Sequence, residues 1–138
     1  MIGIPTETQD DINEFLKLGK KIKDENKGFN VEFSFSSFVP KPHTPFQWAK
    51  REDTKSLEKK QKYLEKEFSK LGISAKFSSI KWDYWQSVLS RGGKELAPFL
   101  VEVYRRGAKI GAYKSALKEL DIKVNESFNL DQPLPWDI

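Results

Sequence analysis

The stretch "NVEFSFSSFVPKPHTPFQW", residues 30–48, decides the reading of this chain. Phe29, Val31, Phe33 and Phe35 alternate with Asn30, Glu32, Ser34 and Ser36, the period-2 pattern of a strand with one apolar and one small polar face. The strand then runs, without a turn glycine, into Pro40, Pro42 and Pro45, the sole histidine His43, and Trp48. Proline fixes φ at about −65° and pushes the residue before it toward extended backbone. Val39, Lys41 and Thr44 are therefore held out of helix, and the strand exit is stiff.

Upstream, Ile2 and Ile4 read as the end of a buried strand closed by Pro5 and Thr6. Thr8 is an N-cap, with Asp11 three residues on and Glu7, Asp10 and Asp11 suited to the positive end of a helix dipole. Ile12, Phe15, Leu16 and Ile22 form one helical stripe, which Gly28 ends. The opening 48 residues thus read strand, helix, strand, proline-rich loop, an order that predicts a parallel pair with a right-handed crossover. The polar face of the second strand has two readings: one solvated side of a sheet, or the lumen of a barrel, with Ser34 and Ser36 pointing inward. Ligand sites in such folds lie at the C-terminal strand ends, here "GIPTET" and "FVPKPHTPFQW".

Downstream, Asp53 to Leu71 carries Leu57, Leu64, Phe68 and Leu71 on one stripe, with a Glu58–Lys62 pair one turn apart and Gly72 as a stop. The alternation of Ile73, Ala75 and Phe77 predicts a short third strand of unassigned placement. The remainder reads as short helices broken by glycines. One is capped by Asp83 and carries Trp85, Val88 and Leu89; a second carries Leu96, Leu100, Val103 and Tyr104; a last short one uses Tyr113, Ala116, Leu117 and Leu120. From Asp121 onward no period is visible, and Trp136 and Ile138 are large apolar residues at a terminus. Together with the two-residue strand at Met1, they suggest a piece cut from a longer protein.

With 138 residues, 38% of them apolar, the chain has room for one ordinary domain core. Its 24 basic and 20 acidic residues give a net charge of +4 spread over every region, which is a weak attraction to nucleic acid. No apolar run reaches the roughly 18 residues a membrane helix needs, and the start lacks the pattern of a signal peptide. A cytoplasmic protein without a membrane partner is expected. The absence of cysteine removes disulfides, thiolate-held zinc or iron–sulfur clusters and a cysteine nucleophile, and one histidine leaves no two-His metal site.

No nucleotide loop, zinc-protease motif or paired catalytic carboxylates stand out. "RGG" at 91–93 reads as a helix break rather than an RNA-binding element. Trp82, Tyr84 and Trp85 beside Lys76 and Lys81 either stack on bases between phosphate contacts or pack between small helices. Glu7, Glu32 and His43 are the candidates for acid–base work, but no nucleophile or metal partner accompanies them.

"MIGIPTETQDDI" followed by "VEFSFSSFVPKPHTPFQW" resembles the fifth strand, helix and sixth strand of radical S-adenosylmethionine enzymes. The likeness is to the cobalamin-binding-domain group of Fe–S oxidoreductases of unknown function, in which a "GLPTET" turn and an "SxFVPKPHTPFQW" strand exit are typical. It continues through "VLSRGGKELAPFLVEVYRRGAKI" (88–110), similar to that group's linker after the barrel, and reaches "LPWDI" (134–138). The resemblance implies a parent enzyme with a four-iron cluster on a CxxxCxxC loop, S-adenosylmethionine cleaved to a 5′-deoxyadenosyl radical, and cobalamin as a further cofactor. Those cysteines are absent here, so the chain would lack the cluster and be inactive alone. Mapped onto this sequence, the adenine-contacting residues are Ile2 and Gly3 on the first strand and Phe38, Val39 and Pro40 at the second strand's exit. Glu7 sits near the family's glutamate, one residue further from Gly3 than its usual GxxE spacing.

The expected fold class is α/β: a truncated radical S-adenosylmethionine-type barrel segment in residues 1–50, then a mostly helical linker with one short strand in residues 51–138. The expected partners are the rest of the parent chain and, through exposed sheet edges, a second copy. Nucleic acid is not expected, although a stand-alone basic module binding RNA or protein around Trp82 and Trp85 is the alternative reading.

Overall fold

The structure, a computed structural model, describes residues 1–122. The expectations placed on residues 123–138, including "LPWDI" and Trp136, lie outside the described residues. The chain is α/β, with helices α1 (Gln9–Glu25), α2 (Thr54–Lys70), α3 (Ile80–Arg91), α4 (Ala97–Arg105) and α5 (Ile110–Glu119), and strands β1 (Glu32–Phe35) and β2 (Ser74–Phe77). Two compact units emerge: residues 1–38 with 51–80, and residues 39–50 with the chain from Lys81 on.

In the first unit, β1 and β2 pair in parallel, Phe33 opposite Ala75 and Phe35 opposite Phe77. The strand expected at the N-terminus is reduced to a single parallel bridge between Ile2 and Ser37. Gly3, at φ +80°, turns the chain away immediately after Ile2, so no longer ladder can form. Backbone parity places β1 between its neighbours. The Ser36 carbonyl and Phe38 amide bond to Ile2, whereas the Val31 and Phe35 carbonyls accept from Ser74 and Ser78. Alternate backbone groups of a strand point to opposite edges, so the spatial order is Ile2 segment, β1, β2, which is also the chain order.

Both connecting helices cover the same face of this small sheet. Phe15 of α1 meets Phe35 edge-on at 5.3 Å, and Phe68 of α2 lies 4.9 Å from Phe33. Ile12 of α1 and Leu57, Leu64 and Phe68 of α2 join Ile2, Phe35, Ile73 and Ile80 in one core. Burying a ring such as Phe68 contributes roughly 1.5–3 kcal/mol, so this layer dominates the unit's stability. The opposite face carries Glu32, Ser34, Ser36, Ser74 and Lys76, all exposed.

The starts of α1 and α2 follow the sequence signals. Thr8 and Asp11 form a reciprocal capping box on α1, and the Asp53 carboxylate accepts from the Ser56 amide to cap α2. Gly72, at φ +63°, follows α2, and Lys23 donates to the Leu71 carbonyl at 2.5 Å, which satisfies one of the end groups of that helix. Among the described residues, no helix is long and apolar enough to cross a membrane.

The second unit is a helical cluster around Trp85, Val88, Phe99, Val103, Ala112 and Ala116. Arg91 ends α3, and Gly92 and Gly93 lead into the 3-10 turn Lys94–Leu96, so "RGG" is a helix break. Asp83 is not the cap of α3. The helix starts three residues earlier, at Ile80, and Asp83 lies in its first turn and is buried. The helix expected around Tyr113, Ala116, Leu117 and Leu120 is α5, ten residues long.

Candidate functional site

The turn after Ile2, one of the two strand ends predicted to carry chemistry, is built around a folded-back carboxylate. After Ile2 the chain turns through Ile4–Glu7, with the Glu7 amide bonded to the Ile4 carbonyl and Thr6 at φ 70°. A β-branched residue in the left-handed region is strained by about 1–3 kcal/mol. The turn brings Glu7 Oε2 to 2.9 Å from the Gly3 amide, which donates to it. Lys60 of α2 closes the cluster, its Nζ 2.6 Å from Glu7 Oε2 and 2.7 Å from Glu52 Oε2. Burial pulls the Lys60 pKa down, but the hydrogen bonds to Glu52 and Glu7 outweigh it and leave the value raised. The Glu7 side chain is only 6% exposed, so its charge is matched by the lysine and a backbone donor rather than by water.

Of the sequence-predicted site residues, the fold brings Ile2, Gly3 and Phe38 together. The Phe38 amide donates to the Ile2 carbonyl at 2.7 Å, and the Ile2 amide to the Ser36 carbonyl at 2.9 Å. All three residues are buried. The polar backbone of Ile2 is thus consumed by pairing, and the Gly3 amide by Glu7. A Cβ on Gly3 would lie 2.7 Å from Leu57 Cδ2 and 3.0 Å from Glu52 Oε2, so glycine is required there by the chain's own packing as well as by its φ. Val39 and Pro40 follow directly but belong to the second unit.

The proline-rich segment is tied down from α3. The buried Arg91 guanidinium donates to the Gln47 carbonyl at 2.8 Å and also to the Ala49 carbonyl. Lys41 Nζ donates to Ser90 Oγ at 2.9 Å. Burial lowers the Lys41 pKa, and the Asp83 charge opposes that shift. His43 is exposed at φ 58°, its amide donating to Gln47 Oε1 at 3.2 Å, with Thr44 Oγ1 bonded to the Lys41 carbonyl. The loop is held by side-chain contacts to backbone as well as by its prolines.

One comparison gives a relative. The chain is 41% identical, over 100 residues, to an uncharacterised protein of Methanocaldococcus jannaschii. The aligned stretch covers 72% of this chain and 22% of that protein, so the chain spans about a fifth of the relative it matches. No family model and no solved structure matches the chain.

Sequence reasoning missed Lys60, Glu52 and Arg91 as organising residues. Lys60 and Glu52 were hidden in a run of lysines and glutamates that reads as a solvated helix face, and nothing local separates Lys60 from Lys59. Arg91 was read only as part of a glycine-containing break. Trp85 is 3% exposed within the helical core, whereas Trp82 keeps 43% of its surface.

Proposed function

We propose that this chain is the late-barrel segment and following linker of a radical S-adenosylmethionine enzyme, with the iron–sulfur cluster, the earlier strands and a cobalamin domain supplied by other parts of the parent protein. The observation that carries this reading is the winding of the first unit. Its parallel segments advance in chain order, and both crossovers lie on one apolar face. Right-handed crossovers between strands that always advance in one direction put every helix on the same side, as in a barrel, whereas a doubly wound sheet reverses and covers both faces. The exposed row of Ser34, Ser36 and Ser74 then corresponds to the lumen side. The 22% coverage of a longer relative supports a parent larger than this chain.

In this reading Ile2, Gly3 and Phe38 stand at the adenine side of the cofactor site, and the Glu7–Lys60 pair fixes the geometry of the turn that follows Ile2. A chain with no cysteine does not fit an iron–sulfur cluster, so no chemical step is assigned to it. Its contribution is a stiff wall: a backbone edge ordered before binding spares the complex part of the ordering entropy.

The decisive experiment is to read the coding frame upstream of Met1 and assay the full-length product anaerobically for iron content and 5′-deoxyadenosine formation. A CxxxCxxC motif with cofactor cleavage would bear the proposal out. An upstream stop codon, or a full-length protein that neither holds iron nor cleaves S-adenosylmethionine, would sink it.

A further inference from the structure

In the second unit an open groove of about 420 Å³ runs between one side of α3 and the Tyr113 ring of α5. Its walls are mostly apolar, with Trp82, Trp85 and Leu89 on α3 and Tyr113 opposite. The Trp82 and Tyr113 rings stand at 87° with centroids 5.5 Å apart, and Tyr113 lies 5.0 Å from Trp85, so three aromatic rings meet in a corner. Trp82 is exposed, which leaves much of its indole uncovered.

The end of α5 decides which segment lies nearest to this groove. Asp121 takes φ 48°, and the Ile122 amide bonds to the Leu117 carbonyl at 3.2 Å, the long bond of a Schellman turn. Ile122 and Leu117 both pack against the Trp85 cluster, the apolar contact that accompanies such a turn. The chain is thereby turned off the α5 axis beside the groove instead of running on along it. Tyr113 stands nine residues before Ile122, about 14 Å along a helix. The ten residues 123–132 extend up to roughly 33 Å, so residue 133 is within reach of the ring.

Residues 133–136 read Pro-Leu-Pro-Trp. The two prolines fix φ and restrict Gln132 and Leu134 to extended backbone, which favours polyproline II. That conformation has no internal hydrogen bonds and keeps its backbone open to water, so it needs few polar groups from a surface. Proline rings of such segments dock in grooves lined by aromatic side chains. Gln86, exposed on the groove's edge, offers both a donor and an acceptor to a peptide group. Attachment to the same chain gives this segment an effective concentration that a free peptide lacks.

We propose that residues 133–136 of this same chain occupy the groove as a strap, with the Pro133 and Pro135 rings against Trp82 and Tyr113. The strap ties this segment to α3 and α5 and shields the aromatic corner from water. The proposal rests on the second unit alone and does not depend on the reading of the first.

The test uses the full 138-residue chain, isotopically labelled for NMR. Nuclear Overhauser contacts from the two proline rings to the Trp82 and Tyr113 rings are expected, unchanged on dilution. Backbone order parameters of residues 133–136 are expected at about 0.85, the value of rigid backbone, and below about 0.6 in Trp82→Ala and in the double variant Pro133→Ala/Pro135→Ala. The amides of buried Phe99 and Val103 report that the core stays folded. If Trp82→Ala fails to fold, the proline variant, which leaves α3 and α5 untouched, carries the test. The proposal is overturned by any of four results: order parameters below about 0.6 in the native chain, contacts that vanish on dilution and so belong to a second copy, proline contacts made outside the groove, or order retained in the variants.

Discussion

Glu7 and Lys60, 53 positions apart in sequence, meet at 2.6 Å and join the turn after Ile2 to the middle of α2. The same carboxylate oxygen holds the Gly3 amide, so one side chain fixes both the backbone turn and the helix that covers it.

Removing the Glu7 carboxylate leaves the half-buried Lys60 ammonium with Glu52 as its remaining partner. Glu7→Gln is expected to destabilise the chain by about 1–2 kcal/mol, above an exposed pair and below a fully buried one, because Lys60 is half-buried and retains Glu52. Urea unfolding of both proteins measures it. A change within a few tenths of a kcal/mol would show that the pair is solvated.

Lys60 also sets an alkaline limit. Its folded pKa is raised above the reference 10.5 by Glu52 and Glu7, against the effect of burial. The stabilisation is therefore fully present below 10.5 and is lost as pH rises through the higher folded value. Unfolding free energies measured from neutral pH into this alkaline window are expected to fall more steeply for the native chain than for Lys60→Met. Parallel curves for the two proteins would contradict the assignment.

Gly19 lies within α1, where alanine ordinarily gains up to about 1 kcal/mol over glycine. Here a Cβ would sit 2.6 Å from Phe68 Cε1 and 3.3 Å from Ile73 Cδ1, against fully buried packing. Overpacking of this kind costs about 1–3 kcal/mol, so Gly19→Ala is expected to lower the melting temperature despite its better helix propensity. A higher melting temperature would mean that α1 shifts freely over the sheet.

Arg91 reaches two carbonyls of the proline-rich loop with one planar group, which a lysine ammonium on a flexible stem does not reproduce. In Arg91→Lys, tryptic cleavage after Lys50 and amide exchange across residues 43–50 are expected to accelerate. Unchanged protection there would show that the prolines alone order the loop.

The starts of α1 and α2 and the stop after α2 were legible because their signals are local, whereas α3 begins at Ile80, ahead of the Asp83 read as its cap. Thr8 with Asp11, Asp53 ahead of an apolar stripe, and Gly72 after it each act within a turn of where they stand. Strand extents were less legible. The alternation beginning at Phe29 pairs as β1 only from Glu32, and Phe29 is 76% exposed, since a period of two marks which side chains share a face but not where a neighbour is available to bond. The candidate site was read from Ile2, Gly3, Phe38, Val39 and Pro40; backbone bonds bring Ile2 beside Phe38, while Val39 and Pro40 fall in the second unit. The groups that hold their neighbourhood, Lys60 and Glu52, carry no local mark.

By itself, then, the sequence determined the helices, the alternating faces of β1, the stiffness of the proline exit and the lack of any thiolate chemistry. Only the tertiary structure decided that β1 lies between the Ile2 segment and β2, that both crossover helices share one face, and which lysine among many is buried against Glu7. The physical reason is range. Capping, periodicity and proline act over a few neighbouring residues, whereas strand order and the pairing of buried charges depend on groups that only the folded chain brings within bonding distance.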